Sequence, residues 1–355
     1  MPALYRIPIA GHGVRRDQRT LSTGSDDAEL GPPLARMGLI AAGGSFTATR
    51  LAGGVSCDVW KVERPGLPAL VIKRALAKLR VKADWFAPSE RWRAEVDWLT
   101  LAGRIDPTTA PPILGVDEQS GMFAMAFLDG LPLWKAELAA GRVDVPFAAI
   151  TGAKLAAIHA ATAGRTDIAA RFDNGPQFFA LRLDAYLLFT AGRHPDVADD
   201  IKHMVESIAM ARIALMQGDI SPKNILMSKE GPVFLDAETA CYGDPVFDLA
   251  FCINHLLLKC VWHPRFTDQY LASFRALVAA YLNGVTWEDA GGLEKRTARL
   301  LAMLLVARVD GKSPVEYLTN ANDQALVRDT AKDFIYGEEE SLETMALIWG
   351  RRINS

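Results

Sequence analysis

Gln217-Gly218-Asp219-Ile220-Ser221-Pro222-Lys223-Asn224 is followed, twelve residues after Asn224, by Asp236-Ala237-Glu238, and then by Gly243-Asp244-Pro245-Val246-Phe247-Asp248-Leu249-Ala250. An Asp, an Asn five residues on, and a second Asp behind a short apolar strand are what phosphoryl transfer from a triphosphate asks of a protein. One carboxylate meets an acceptor hydroxyl, while an amide oxygen and a second carboxylate hold magnesium against the phosphates. A lone Asp-x-x-x-x-Asn is a surface turn; three acidic segments in register are not. The set fixes a reaction class and leaves the acceptor open.

Outward from that stretch, 355 residues suffice for two lobes with a sizeable core. Half the residues are apolar, which excludes a disordered chain. With 39 basic and 42 acidic residues the net charge is −3, which argues against a broad grip on nucleic acid. Cys57, Cys241, Cys252 and Cys260 show neither C-x-x-C pairing nor zinc spacing, as suits packed thiols in a reducing cytosol. The apolar runs near 247–258 and 300–307 are too short for a membrane span, and the N-terminus lacks a signal-type apolar core. These features predict a cytoplasmic protein with no nucleic-acid or membrane partner; they say nothing of oligomeric state.

Residues 1–30 carry Arg15, Arg16 and Asp26-Asp27 without apolar periodicity, and Gly31-Pro32-Pro33 follows, so we expect a mobile arm there. Short, partly β-branched runs at 46–51, 55–63 and 69–74, broken by Gly53-Gly54 and Pro65-Gly66, read as strands. A helix is expected over 89–103 with Ser89 as its cap, then strands at 113–116 and 122–128. Helical patterns dominate after Asp129-Gly130, at 147–163, 178–191, 197–210, 247–259, 267–282 and 292–309. The prediction is an α+β, bilobal arrangement: the arm over 1–30, a small antiparallel β-sheet lobe with one main helix over 31–128, and a larger, mostly helical lobe over 129–355.

The chain resembles the aminoglycoside phosphotransferase and choline kinase-like group of small-molecule kinases, which share the protein-kinase fold. The likeness runs from about Leu51 to Leu258 and rests on the motifs above. It implies ATP and Mg²⁺ as cofactors, Asp219 as the catalytic carboxylate, and Asn224 and Asp236 as metal ligands. Glu238, two residues on, would reach the metal through water or cap a loop. Family members usually begin the catalytic motif with His-Gly-Asp; Gln217 stands here instead, and Gln also donates and accepts. Asp248 would tie the catalytic loop to the helical lobe through backbone N–H groups.

In the small lobe, Leu70-Val71-Ile72-Lys73 resembles the strand lysine of kinases, with Glu95 as its helix partner and Glu90 as competitor. Gly53, Gly54 and Ser56 resemble a phosphate-covering hairpin, because glycine lets backbone N–H groups approach phosphate. The resemblance makes Met125-Ala126-Phe127-Leu128 the inter-lobe hinge, where the Ala126 carbonyl and the Leu128 N–H would hold adenine. His159 in Leu155-Ala156-Ala157-Ile158-His159 reads as a packed histidine outside the site. Asp310-Gly311-Lys312-Ser313 is not a Walker loop, since Val306 stands where that loop needs Gly.

A small-molecule hydroxyl is therefore the expected acceptor. A catalytically inactive nucleotide-binding relative and an aminoglycoside kinase are the alternatives. A protein substrate is disfavoured: no Ala-Pro-Glu segment is present, and Glu238 and Asp248 lie too close for a long activation loop. The slight acidic excess after Leu131 is a mild bias only. Arg182, Arg308 and Lys312 fall in segments that could line the acceptor cleft, which would suit a carboxylate or phosphate on the acceptor.

Overall fold

The computed structural model describes residues 24–51, 56–76, 78, 80 and 88–353. It opens with helix α1 (Gly24–Arg36), then strands β1 (Thr47–Arg50), β2 (Cys57–Arg64) and β3 (Leu67–Ala75), helix α2 (Trp92–Ile105), and strands β4 (Ile113–Asp117) and β5 (Met122–Ala126). The strands form one antiparallel sheet in the order β1-β2-β3-β5-β4. Lys73, in the central strand β3, lies opposite Val59 and Phe123.

Side chains alternate across this sheet with the period of two that strands impose. Trp60, Val62, Leu70, Ile72, Met122 and Ala124 face one way and pack with Leu30 and Leu34 of α1. Val71, Phe123 and Met125 face the other way, into the core that holds Trp98 and Leu99 of α2. The arm expected over 1–30 therefore needs correction. Residues 1–23 lie outside the described residues, but from Gly24 the chain is helical and covers the outer sheet face. Pro32 and Pro33 sit inside that helix. An interior proline costs a helix about 3 kcal/mol; burial of Leu30 and Leu34, one turn apart, offsets it. A bidentate contact from Arg36 to Asp117 of β4, both bonds 2.8 Å, fixes the helix to the sheet edge.

The larger lobe contains α3 (Trp134–Ala139), α4 (Val145–Thr162), α5 (Thr166–Arg171), α6 (Gly175–Phe178), a ten-residue π-helical stretch Phe179–Leu188, α7 (Phe189–Arg193) and α8 (Ala198–Met210). Four short strands follow, β6 (Ala214–Met216), β7 (Ile225–Ser228), β8 (Gly231–Phe234) and β9 (Cys241–Gly243), paired antiparallel β6 with β9 and β7 with β8. Helices α9 (Val246–Trp262), α10 (Thr267–Asn283), α11 (Ala290–Asp310), α12 (Ala321–Tyr336) and α13 (Leu342–Ile353) complete the chain. By length and composition α4 could cross a membrane, but half of it is buried in the lobe against α10. A Cβ on Gly152 of α4 would lie 2.2 Å from the Leu277 carbonyl oxygen, so glycine sets how closely these helices approach. Helix α9 is buried along almost its whole length.

Helix α2 starts at Trp92, with Ser89–Arg91 forming a 3₁₀ turn ahead of it, and Ser89 makes no capping bond. The helices α3, α5, α12 and α13 were not foreseen.

Candidate active site

The catalytic loop is held from three sides. Asp248, fully buried in the first turn of α9, accepts from the backbone N–H of Gln217 at 2.6 Å and of Gly218 at 2.7 Å. Its Oδ2 also lies 3.4 Å from His159 Nε2, and His159 Nδ1 is 2.7 Å from the Tyr281 hydroxyl; His159 is buried and belongs to this brace. Gln217 uses both ends of its amide: Nε2 donates to the Leu235 carbonyl at 2.7 Å, and Oε1 accepts from the Asp219 N–H at 2.7 Å. One side chain thus ties the catalytic loop to the strand end that carries Asp236. Gly218 has φ +79°, and a Cβ there would meet Thr239 Oγ1 at 2.7 Å.

Asp219 is buried. Its Oδ2 accepts from Asn224 Nδ2 at 2.8 Å, and lies 3.2 Å from Arg182 Nη2 and 3.1 Å from Lys223 Nζ. Its Oδ1 has no hydrogen-bond partner. Asn224 also donates to the Asp219 carbonyl at 3.0 Å, and its own carbonyl receives the Leu235 N–H at 2.9 Å. Arg182, in a segment that by sequence could line the acceptor cleft, donates from Nε to the Gly218 carbonyl at 2.6 Å while its Nη2 faces Asp219, so it braces this loop from the π-helical stretch.

From the small lobe, Lys73 Nζ bonds Glu95 Oε1 of α2 at 2.8 Å and also contacts Asp236 Oδ1. Burial pulls the Lys73 ammonium down, but the neighbouring negative charges, Asp236 foremost, outweigh it and hold its pKa well above the ordinary value. Burial raises the Asp236 carboxyl; the charges of Lys73 and Lys223 prevail and bring it to about 2. Burial also pushes Glu95 up, against the pull of Lys73. Asp236 has φ +64°, a left-handed conformation rare for a residue with a side chain. The two glycines of the expected hairpin, Gly53 and Gly54, lie outside the described residues; Ser56 is buried at the start of β2. Ala126 closes β5, and Leu128 follows Phe127, whose N–H donates to the Ala69 carbonyl.

Glu238 has a partner that the sequence did not reveal. Arg91, 1% exposed, donates from Nε to Glu238 Oε2 at 2.8 Å, from Nη1 to the Pro88 carbonyl at 2.8 Å, and from Nη2 to the Ser56 carbonyl. The Cys57 thiol also faces Glu238 Oε2, at 3.4 Å. Cys57, Asp236 and Glu238 bring ligand-type atoms within 4.8 Å of one another. Burial raises the thiol pKa, so the sulfur stays protonated and is no ligand for a hard cation. The hard-oxygen set suited to magnesium is Asp236 with Asn224. With both Asn224 donor bonds directed at Asp219, the amide oxygen is what that residue can offer a cation.

A family model described as a phosphotransferase enzyme family matches residues 47–282. No curated protein matches the chain. Solved structures share the fold at low identity. An ethanolamine kinase of Plasmodium vivax is 12% identical, covering 86% of this chain and 88% of that one, with TM-score 0.54. An amicoumacin kinase in complex with AMP-PNP and Ca²⁺ is 13% identical, with coverage of 83% and 90% and TM-score 0.53. A choline kinase of Cryptosporidium parvum Iowa II is 11% identical, with coverage of 92% and 96% and TM-score 0.50.

Proposed function

The chain belongs to the phosphotransferase enzyme family, as a small-molecule kinase, and from that premise we propose that it moves the γ-phosphoryl group of Mg-ATP to a hydroxyl of its acceptor. The observation that carries this reading is the convergence of Asp219, Asn224, Asp236, Lys73 and Glu95 where the two lobes meet, through contacts between residues up to 163 positions apart and the Leu235 N–H bond to the Asn224 carbonyl.

Each residue has a task that its surroundings support. Asp219, held by Asn224 and with Oδ1 unpartnered, orients the acceptor hydroxyl and takes its proton as the acceptor oxygen bonds to the γ-phosphorus. The bond from that phosphorus to the β–γ bridging oxygen breaks, and ADP leaves with the electron pair. Asn224 and Asp236 would hold Mg²⁺, which when bound neutralises charge on the phosphate oxygens. Lys73 faces the same phosphates and is kept cationic and in place by Glu95 and Asp236. Glu238 stands behind Asp236, its Oε2 taken by Arg91. Gly53, Gly54 and Ser56 would cover the phosphates, and the main chain at Ala126 and Leu128 would hold adenine. Gln217 supports an active enzyme over an inactive relative, since its amide makes both bonds that a bracing residue needs.

The test is a pair of measurements. Mg-ATP at millimolar concentration should raise the melting temperature by mass action on the folded state. Coupled ADP release across hydroxyl-bearing metabolites should then identify acceptors. Absence of any melting shift, with magnesium present, contradicts the reading.

A further inference from the structure

Helix α9 runs on from Asp248 and brings two unsatisfied groups to the face that carries it. His255 and Lys259 lie seven and eleven residues beyond Asp248, close to whole turns of the helix. His255 Nε2 and Lys259 Nζ are both buried and have no hydrogen-bond partner among the described residues. Lys259, 1% exposed, makes no ion pair among the described residues; its ammonium lies 4.6 Å from the Trp262 ring centre and 4.1 Å from that of Tyr317. From α11, Arg308 brings another cation without an ion pair among the described residues. Its Nε is unpartnered, and Nη1 donates only to the Ser313 carbonyl.

This cluster is continuous with the catalytic loop. The Arg308 guanidinium lies 5.4 Å from the Tyr186 ring, and Arg182, which contacts Asp219, lies 5.9 Å from the same ring. Burial lowers the His255 pKa well below its ordinary value, and the charges of Arg308, Lys259, Lys223 and Lys135 push it further, so several cations bear on one imidazole. Lys135 is paired with Glu316 and Lys223 with Asp219. Among the described residues Arg308 and Lys259 make no direct ion pair, and the one carboxylate whose charge bears on both, Glu316, is taken by Lys135. A buried cation without a paired counter-charge is costly to a fold; Arg308, one aromatic ring away from Arg182 and Asp219, and Lys259, farther along the helix that Asp248 opens, mark a place prepared for an anion.

Resting on the phosphotransfer reading above, we propose that the acceptor carries an anionic group, a carboxylate or a phosphate, besides its hydroxyl, and that Arg308, His255 and Lys259 receive that group while Asp219 receives the hydroxyl. This sets the enzyme apart from a kinase of cationic alcohols or aminoglycosides, whose positive charge the same residues repel.

The test uses the full chain saturated with Mg-AMP-PNP and reads melting temperature with four probes that share a hydroxyl: glycerate, glycerol 3-phosphate, glycerol and choline, each at about 10 mM. At least one anion should raise the melting temperature, with the preferred one separating carboxylate from phosphate, while glycerol and choline should not. Lys259→Met and Arg308→Gln should each weaken the anion's apparent affinity by about tenfold or more, with the Mg-AMP-PNP shift unchanged; Arg308→Lys should recover part of it. No shift with either anion, an equal shift with glycerol or choline, or anion shifts that survive in both variants overturns the proposal. Anion binding without any nucleotide shift keeps the anion site and instead removes the phosphotransfer reading.

Discussion

Arg91, ending the 3₁₀ turn that leads into α2, and Glu95, in the first turn of α2, each govern one carboxylate of Asp236-Ala237-Glu238: Arg91 bonds Glu238 directly, and Glu95 holds Lys73, which holds Asp236. One continuous segment, the 3₁₀ turn and the first turn of α2, therefore sets the position of both acids. Removing Arg91 alone leaves Glu238 as an unpaired buried charge, which costs about 3–5 kcal/mol. Arg91→Met should lose stability on that scale in urea titration, and Arg91→Met combined with Glu238→Gln should recover much of it. Additive losses in the double variant would show that the two residues do not act as a pair.

Binding and chemistry separate at Asp219 and Asp236. Asp219→Ala should abolish turnover and leave Mg-ATP affinity within a few fold, because the proposed role of Asp219 is toward the acceptor and not the triphosphate. For Asp236 the informative change is to Asn, since Asn tolerates the left-handed backbone at this position and only the charge is lost. Asp236→Asn should weaken Mg-nucleotide binding as well as turnover. Calorimetric titration of nucleotide against both variants distinguishes the roles; turnover in Asp219→Ala near the parent's removes Asp219 from its assignment.

Lys73→Met removes a preorganised cation from the phosphates, and kcat/KM for ATP should fall by about 10²–10³-fold, the range typical of losing one such group. Steady-state kinetics at saturating acceptor measure it. A loss under tenfold would mean that the ammonium serves Asp236 and Glu95 and not the nucleotide.

Much of this site was legible because its members are close in sequence. Asp219, Asn224 and Asp236 fall within one short segment, and β3 and α2 present Lys73 and Glu95 in the expected order. Arg91 was hidden for the opposite reason: it is one of two arginines flanking Trp92, and its partner lies 147 residues away. Helix α1 was hidden by Pro32-Pro33, a helix-breaking signal that tertiary burial of Leu30 and Leu34 overrides. The bond from Arg182 to the Gly218 carbonyl was hidden because the two lie 36 positions apart, and the π-helical stretch from Phe179 departs from the 3.6-residue period by which shared faces are read.

Lys259 predicts a pH signature. Burial, and next the charge of Lys135, push its ammonium down to about 8, with Glu316 opposing. The unfolded chain thus holds a proton that the folded chain has released between pH 8 and about 10.5, and stability contributed through this residue rises with pH across that window. Below pH 8 the charged, buried form costs the fold roughly 3 kcal/mol. Lys259→Met should therefore be more stable than the parent at pH 7, with the difference shrinking toward pH 10. Denaturant titrations of both proteins at the two pH values decide it; a less stable variant at pH 7 contradicts the assignment.

Gly218→Ala should be strongly destabilising and inactive. The added methyl group meets Thr239 at two atoms, at 2.7 and 2.9 Å, in a backbone conformation that an L side chain resists. Thermal melting beside ADP release checks both effects; a well-folded, active variant would show that the loop has slack that the close contacts deny.

Helix α9 has a mechanical consequence for the catalytic cycle. Asp248 grips the loop that carries Asp219, and on the same unbroken helix His255 and Lys259 follow within about 17 Å. With no hinge between them, Asp219 and the buried cations of this helix move as one body. Any opening or closing of the two lobes brings the nucleotide to a fixed platform, and the spacing along that platform acts as a ruler for the length of the molecule lying on it.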